Sequence, residues 1–570
     1  MQKKKLLVSA IWAMCLHVEA QTLATDYKGA SNGNPISPCV FCADPTAIEY
    51  EDRLYVYGTN DHQQYIKNGK TGSNNYGAIK SLVIFSTDDM VNWTFHGTID
   101  VAKLCSSWGW RFAASWAPSI VSRETANGQQ EFFLYFSNSG GSVGVLKSLS
   151  PLGPWRSTLS KPMIDDSTPG VKPCNWIFDP GVVIDANGTG WIAFGGGDPQ
   201  ATGSAMWPGN SRIAKLKPSM TALDGSAVSL PAPYLFEASE LNIMNGRFVY
   251  TYNTSWSDRN EWSSYTGRGT HAAPSACSMC YMVTDTPLNP DSWEYRGEYV
   301  PNEGNFGMGW GNNHTHLHKF EGTYYLFYHS TLLEQSMNSS GSGFRSIGVN
   351  KATVDESSQT ISKMTLTKAG VKAIRTMNPY IQQQAETMAT CGGVAYEDFT
   401  NITPATSIST LGNDASQNMQ VNMKTGSWTM VRRVDFGTMG ASQFTLFAKG
   451  TGRLEIRLGN KNAAAAAMVD FSLADMVQTT VEVDPAVFKG EKSVYFVFTA
   501  ADNVQFDAWQ FAELGASGIS SHSMTEPATH RERYSLDGRR LSDYHSTNGI
   551  VIEQYIDALG KKQVRKQLSY

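Results

Sequence analysis

Along the first 350 residues the chain alternates polar turns with short bursts of aromatic and β-branched residues, and the burst recurs five times. The bursts are Asp52-Arg53-Leu54-Tyr55-Val56-Tyr57, Gln130-Glu131-Phe132-Phe133-Leu134-Tyr135, Asn187-Gly188-Thr189-Gly190-Trp191-Ile192, Asn245-Gly246-Arg247-Phe248-Val249-Tyr250 and Glu321-Gly322-Thr323-Tyr324-Tyr325-Leu326. Each predicts the turn and second strand of an antiparallel hairpin, because a Gly or Asn turn ahead of alternating apolar residues is a strong short-range hairpin signal. Eleven or twelve residues before Tyr55, Trp191, Phe248 and Tyr325 stand Asp44, Asp179, Glu237 and His314. The second repeat carries Ser115-Trp116-Ala117-Pro118-Ser119 there, aromatic but uncharged. A repeat of roughly 55 to 80 residues with several short strands belongs to a radial array of small sheets rather than to a solenoid. The expected fold is an all-β, five-bladed β-propeller. Its innermost strands line one axis, so residues at equivalent repeat positions should converge on a shared pocket.

The converging residues carry chemistry. Asp44 lies in Ala43-Asp44-Pro45 and Asp179 in Phe178-Asp179-Pro180, where proline keeps the preceding residue out of the helical region and leads into a strand. Glu237 is followed by the small pair Ala238-Ser239, which leaves room for a ligand. A single Asp-Pro reads most simply as a turn or cap. Three carboxylates in register do not, because burying them together raises pKa values, the condition a proton donor needs at neutral pH. Two facing carboxyls are the minimum apparatus for breaking a glycosidic bond, and a third can raise the acid's pKa by repulsion. The competing use of the same oxygens is a calcium site with His314 as partner, although histidine is a poor calcium ligand.

At 570 residues, with a change of pattern after Asn378-Pro379-Tyr380, the chain should hold two folded domains. A net charge of -5 gives no electrostatic argument for nucleic acid. Residues 1–20 run from Lys3-Lys4-Lys5 through an apolar stretch, Leu6 to Leu16, to Val18-Glu19-Ala20, the three zones of a secretory signal, and that stretch is too short to span a bilayer. The expectation is a protein exported by a bacterium, periplasmic, cell-surface or extracellular. Seven cysteines then remain, so at least one stays unpaired. The spacings Cys39-x-x-Cys42 and Cys277-x-x-Cys280 allow a four-thiolate zinc site, while export favours disulfides or buried thiols.

Residues 35–375 resemble the family 43 glycoside hydrolases. The resemblance rests on Ala43-Asp44-Pro45, Trp116-Ala117-Pro118, Phe178-Asp179-Pro180, Phe236-Glu237-Ala238-Ser239, Asn312-Asn313-His314 and Gly343-Phe344-Arg345-Ser346. It implies a five-bladed inverting enzyme acting on arabinose- and xylose-containing polysaccharides, with Asp44 as general base, Glu237 as general acid and Asp179 as pKa modulator. In such enzymes base and acid stand about 6.5–9.5 Å apart. It also implies that Trp116, Phe178, Arg345 and His314 meet the sugar, that catalysis needs no cofactor, and that calcium could sit near His314. Here Thr315-His316 follows His314 where the family usually has His-Ser. Glu240 rivals Glu237 for the acid, but strand alternation aims it at the opposite face.

From 381 to 514 alternating strands with regular turns predict a β-sandwich (jelly roll), as in Arg453-Leu454-Glu455-Ile456-Arg457-Leu458-Gly459. This segment resembles a family 6 carbohydrate-binding module, and the resemblance implies a structural calcium held by Glu386 and Asp507. Leu473-Ala474-Asp475-Met476-Val477 stands where the family has a stacking Trp, and Gln505 where it has Asn, so Trp428 and Trp509 are the remaining aromatic candidates. A sugar binder and a purely structural domain both stay open. Residues 515–570 read as a linker and a small sorting-type β-module, or as a simple tether. The expected function is release of terminal α-L-arabinofuranosyl groups from a plant cell-wall polysaccharide or oligosaccharide. The alternatives are a β-xylosidase and a non-catalytic carbohydrate-binding protein. Oligomeric state and disulfide pairing stay open.

Overall fold

The computed structural model describes residues 22–125, 127–198, 203–337, 342–401 and 419–515, together with the backbone of four strands beyond residue 530. The expected signal segment 1–20 and the linker residues 516–530 lie outside the described residues.

Five antiparallel sheets follow one another to residue 351, each beginning with an inner strand: Ala43–Tyr50, Trp116–Glu124, Gly181–Ile184, Leu235–Met244 and His316–Phe320. The aromatic bursts form the second strands, Arg53–Thr59, Gln130–Asn138, Gly190–Phe194, Arg247–Thr254 and Thr323–Ser330. Three of the linking turns place both central residues at positive φ, namely Glu51-Asp52, Asn245-Gly246 and Glu321-Gly322. That is the twist-matched hairpin geometry. The ring closes through hydrogen bonds: Ile36 N donates to Ile347 O, Cys42 N to Arg345 O, and Val349 N to Asn34 Oδ1. Residues 34–42 thereby lie along the last strand of blade five.

The inner strands are bent where they begin. Asp44, Ala117, Asp179 and Ala238 all have positive φ, at 51°, 20°, 48° and 62°. The pairing register slips at 43/46, 116/118 and 237/240. Bulges of this kind re-aim side chains. Asp tolerates the left-handed region better than most residues because its short side chain bonds locally. The kink therefore falls on the two aspartates themselves, whereas Glu237 reaches the pocket from one residue before its blade's kink.

The second domain is built on Glu491–Glu513, a 23-residue strand that pairs with Ala441–Leu458 along one edge. On its other edge it pairs with Trp428–Asp435 and then with Met419–Met423. Phe444 packs at 4.9 Å from Phe511 and 6.0 Å from Phe496. Those two partners are fifteen residues apart on one strand, about 50 Å if it were straight. The sheet must therefore curl until its two ends face each other, and Leu446, Leu454, Ile456, Phe498 and Phe506 fill the interior. Trp428 and Trp509 are fully buried, and the Trp428 indole N–H donates to Ala24 O. Neither of the two remaining aromatic candidates presents a face to a sugar.

The two domains share a sheet. Thr387–Met388 adds a fifth strand to blade one by pairing with Trp93-Thr94. Asn92 exchanges hydrogen bonds with the backbone of Arg432, and Tyr396 stacks on His62 at 4.4 Å. The chain separates into two compact units, 1–514 and 515–570. Within the second, Arg540–Leu541, Arg531–Tyr534, Gly549–Ile556 and Lys562–Ser569 form an antiparallel sheet in that order. No helix among the described residues is long and apolar enough to cross a membrane.

Candidate active site

A cavity of about 850 Å³ opens at the kinked end of the inner strands. Asp44, Asp179 and Glu237, from blades one, three and four, all line it, and each is at least nine-tenths buried. Trp116, Phe178 and Arg345 also line it, with Tyr76, Trp176, Phe236 and Trp310 adding aromatic wall. His314 is not among the lining residues. It is buried behind Asp44, Nδ1 at 3.6 Å from Asp44 Oδ1, on the segment that leads into the inner strand of blade five, two residues before that strand begins. His329 occupies the wall instead. Asp44 N donates to its Nδ1 at 3.1 Å, and its Nε2 lies 2.9 Å from Asn312 O.

Arg345 organises the site. Its Nη1 donates to Asp44 Oδ1 at 2.9 Å, while Nε and Nη2 grip Asp61 at 2.9 and 2.8 Å. The planar fork suits this bidentate contact. Asp61, which local sequence did not single out, begins the helix Asp61–Asn68 and also accepts from Asn74 Nδ2 at 2.8 Å. Tyr76 lies under the guanidinium at 5.0 Å, and its carbonyl accepts from the Trp116 indole at 3.2 Å.

This single cation divides the carboxylates. Burial by itself would raise Asp44, but Arg345, then His329 and His314, outweigh it and hold the group well below the usual carboxylate range. Asp179 is driven the other way, to about 7, by burial and then by the neighbouring Asp44 charge, against hydrogen bonds from Ala238 N and Ser137 Oγ. Glu237 is raised well above its ordinary value by burial, then by Asp179 and Asp44. Its Oε1 has no hydrogen-bond partner. The cavity therefore holds an ionised carboxylate in Asp44 and a protonated one in Glu237, as acid–base hydrolysis of an acetal requires. Glu240 points away from the cavity and pairs with His316 Nδ1 at 3.0 Å.

The loop after the helix that Asp61 begins contributes Ser73, Asn74 and Tyr76 to the wall. The segment 260–276 does not line the cavity; Trp262 packs on Tyr295 of blade four at 5.3 Å. Glu303, Trp176 and Trp310 are further wall residues that lie in connectors between blades and carry no repeat signal. The seven described cysteines are unpaired, and no group of three or more His, Cys, Asp or Glu side chains is placed to hold a metal among the described residues.

Five radial sheets around a cavity with oppositely poised carboxyls define a glycoside hydrolase. The chain belongs to glycosyl hydrolases family 43, whose model matches residues 32–351, and a family 6 carbohydrate-binding module matches residues 384–513. It is 34% identical over 512 residues to an arabinoxylan arabinofuranohydrolase of Bacillus subtilis (strain 168), covering 87% of this chain and 95% of that protein. An arabinoxylan arabinofuranohydrolase of Paenibacillus polymyxa is 34% identical over 548 residues, covering 93% and 82%. The crystal structure of a family 43 arabinoxylan arabinofuranohydrolase from Bacillus subtilis in complex with cellotetraose superposes with a TM-score of 0.74. That match has 32% identity and covers 86% of this chain and 99% of that one.

Proposed function

We propose that this protein is an inverting α-L-arabinofuranosidase that removes terminal arabinofuranosyl groups from arabinoxylan or a related plant polysaccharide. The observation that carries the reading is the opposed polarisation of three carboxyls from three blades inside one cavity. The relatives that match nearly the whole chain, both arabinoxylan arabinofuranohydrolases, support the substrate class. In this reading Asp44 draws a proton from water as the water attacks the anomeric carbon. Glu237 donates its proton to the departing xylosyl oxygen. Asp179, hydrogen-bonded by Ala238 N at 2.9 Å, keeps Glu237 protonated by repulsion and fixes the backbone beside it. Trp116, Phe178 and Tyr76 provide apolar faces for the furanose, and Arg345 keeps Asp44 ionised.

The test is hydrolysis of paired nitrophenyl α-L-arabinofuranoside and β-D-xyloside, with the product anomer followed by NMR. Preference for the arabinofuranoside with the β-anomer formed first is expected. Preference for the xyloside would refute the specificity, and first appearance of the α-anomer would refute the inverting mechanism.

In the C-terminal module, Glu386 Oε2 and Asp507 Oδ1 are buried carboxyl oxygens without hydrogen-bond partners. Burial raises both groups, Asp507 to about 6. Orphaned hard oxygens of this kind fit calcium, which would neutralise them and pin the start of the module to its last long strand. The signal-like residues 1–20 support export, to be checked by the N-terminal sequence of the mature protein.

A further inference from the structure

The connector between blades four and five holds two residues that the chemistry above does not use. Glu303 lines the cavity yet is only 2% exposed, and its Oε2 has no hydrogen-bond partner. Trp310 lines the same cavity and is 63% exposed. One face of the Trp310 ring lies against the backbone of Gly304: a Cβ there would stand 2.3 Å from Trp310 Cδ2, so glycine is what lets the indole lie flat. The turn beneath is fixed by Asn302, whose Oδ1 accepts from Gly304 N at 2.9 Å and whose Nδ2 donates to Gly311 O at 2.9 Å and Cys277 O at 3.2 Å. A bulky exposed aromatic held flat beside a buried, unpartnered carboxyl is an arrangement suited to a sugar ring, which offers an apolar face and hydroxyls at its edge.

The site has a side. The connector that carries Glu303 is tied to the blade of Glu237: Asn302 Nδ2 donates to Cys277 O, and Asn253, the residue paired with Glu237 across that blade's first hairpin, donates its Nδ2 to Asn313 O. Glu303 therefore flanks the residue that protonates the leaving oxygen. Groups on that flank meet the sugar that departs, not the furanose being transferred to water. We propose that Glu303 and Trp310 form the leaving-group subsite, Trp310 stacking on the xylopyranose that carries the arabinofuranosyl branch and Glu303 hydrogen-bonding that ring's hydroxyls. Burial raises Glu303 well above its ordinary value and so favours the protonated carboxyl, which offers a donor and an acceptor to a hydroxyl pair. This inference rests on the arabinofuranosidase reading and adds to it the group that selects the polymer side of the bond.

The experiment compares kcat/KM on a xylo-oligosaccharide bearing one arabinofuranosyl branch with that on methyl α-L-arabinofuranoside, whose leaving group has no ring. Trp310→Ala and Glu303→Leu are expected to lower the oligosaccharide-to-methyl ratio by about tenfold or more, the worth of one good contact, mainly through KM. Trp310→Phe and Glu303→Gln, which keep a ring and a donor–acceptor pair, should recover most of the ratio. Thermal melts establish that each variant is folded. An unchanged ratio in both Trp310→Ala and Glu303→Leu overturns the proposal. Equal loss on both substrates, together with a moved alkaline limb in Glu303→Leu, also overturns it, because Glu303 would then act only through Glu237. Failure of the underlying reading looks different: the parent enzyme would cleave β-xylosides in preference to both arabinofuranosides.

Discussion

Replacing Glu237 by Gln isolates the proton-transfer step with little structural disturbance. The two side chains are nearly isosteric, and Glu237 Oε1 has no protein partner, so no hydrogen bond to that oxygen is lost. Burial, then Asp179 and Asp44, keep the carboxyl protonated, so no buried charge is removed either, and the melting temperature should stay within the range of ordinary neutral substitutions. What disappears is the donated proton. General acid catalysis contributes on the order of 10²–10⁴, or about 3–5 kcal/mol of barrier. Its weight depends on the leaving group: a xylosyl alkoxide needs the proton, while a nitrophenolate leaves without it. The expected result is a loss of about 10³–10⁴ in kcat/KM on arabinoxylan oligosaccharide and no more than about tenfold on nitrophenyl α-L-arabinofuranoside. Asp44→Asn should instead disable both substrates to a similar extent, since water must be activated in each case. Steady-state rates on the two substrates decide it. Equal losses for Glu237→Gln would refute the acid assignment, and a leaving-group-dependent loss for Asp44→Asn would show the roles reversed.

Asp61→Asn breaks the bidentate contact that anchors Arg345, and since both partners are buried it should cost about 3–5 kcal/mol of stability in urea unfolding, alongside a loss of kcat. The pH–rate profile should stay flat on the acid side, because Asp44 is held ionised below the usual carboxylate range. It should fall on the alkaline side as the coupled Asp179–Glu237 pair ionises from about pH 7 upward. The same shift fixes a stability window. Asp179 is raised from 3.8 to about 7, so its favourable contribution is complete below the lower value and lost as pH rises through the upper one. Asp179→Asn should therefore gain stability relative to the parent at pH 8 but not at pH 4, and equal effects at both would contradict the burial of that carboxyl. Calcium should raise the melting temperature and chelator should lower it, and Asp507→Asn should abolish that response.

Much of the architecture was legible because propeller blades are local objects. A hairpin is encoded within about twenty residues by turn chemistry and alternation, and both can be read without knowing what lies across the molecule. The repeated Asp-Pro at Asp44 and Asp179 betrayed the kinked strand starts for the same reason. Asp61, His329 and Glu303 were invisible because each sits in a different repeat position and gains its meaning from a contact partner elsewhere. Arg345, recognised by its motif, lies 284 residues from the Asp61 that holds it. His314 illustrates the converse: its spacing was right, but the segment ahead of its blade's inner strand places it behind Asp44 rather than in the cavity wall. In the C-terminal module the tryptophans were visible as residues, but whether they are platforms or core depended on the curl of the sheet.

The sequence by itself determined five hairpin-based blades, the acidic residues at three strand starts and a separate all-β module, since these follow from short-range periodicity and backbone preference. Only the tertiary structure decided which carboxyl is ionised, because that turns on where the one guanidinium lies. Arg345 bonds Asp44 and Asp61 directly but only partly offsets the burial of Asp179 and Glu237, and charge in a buried site follows distance through space, not along the chain.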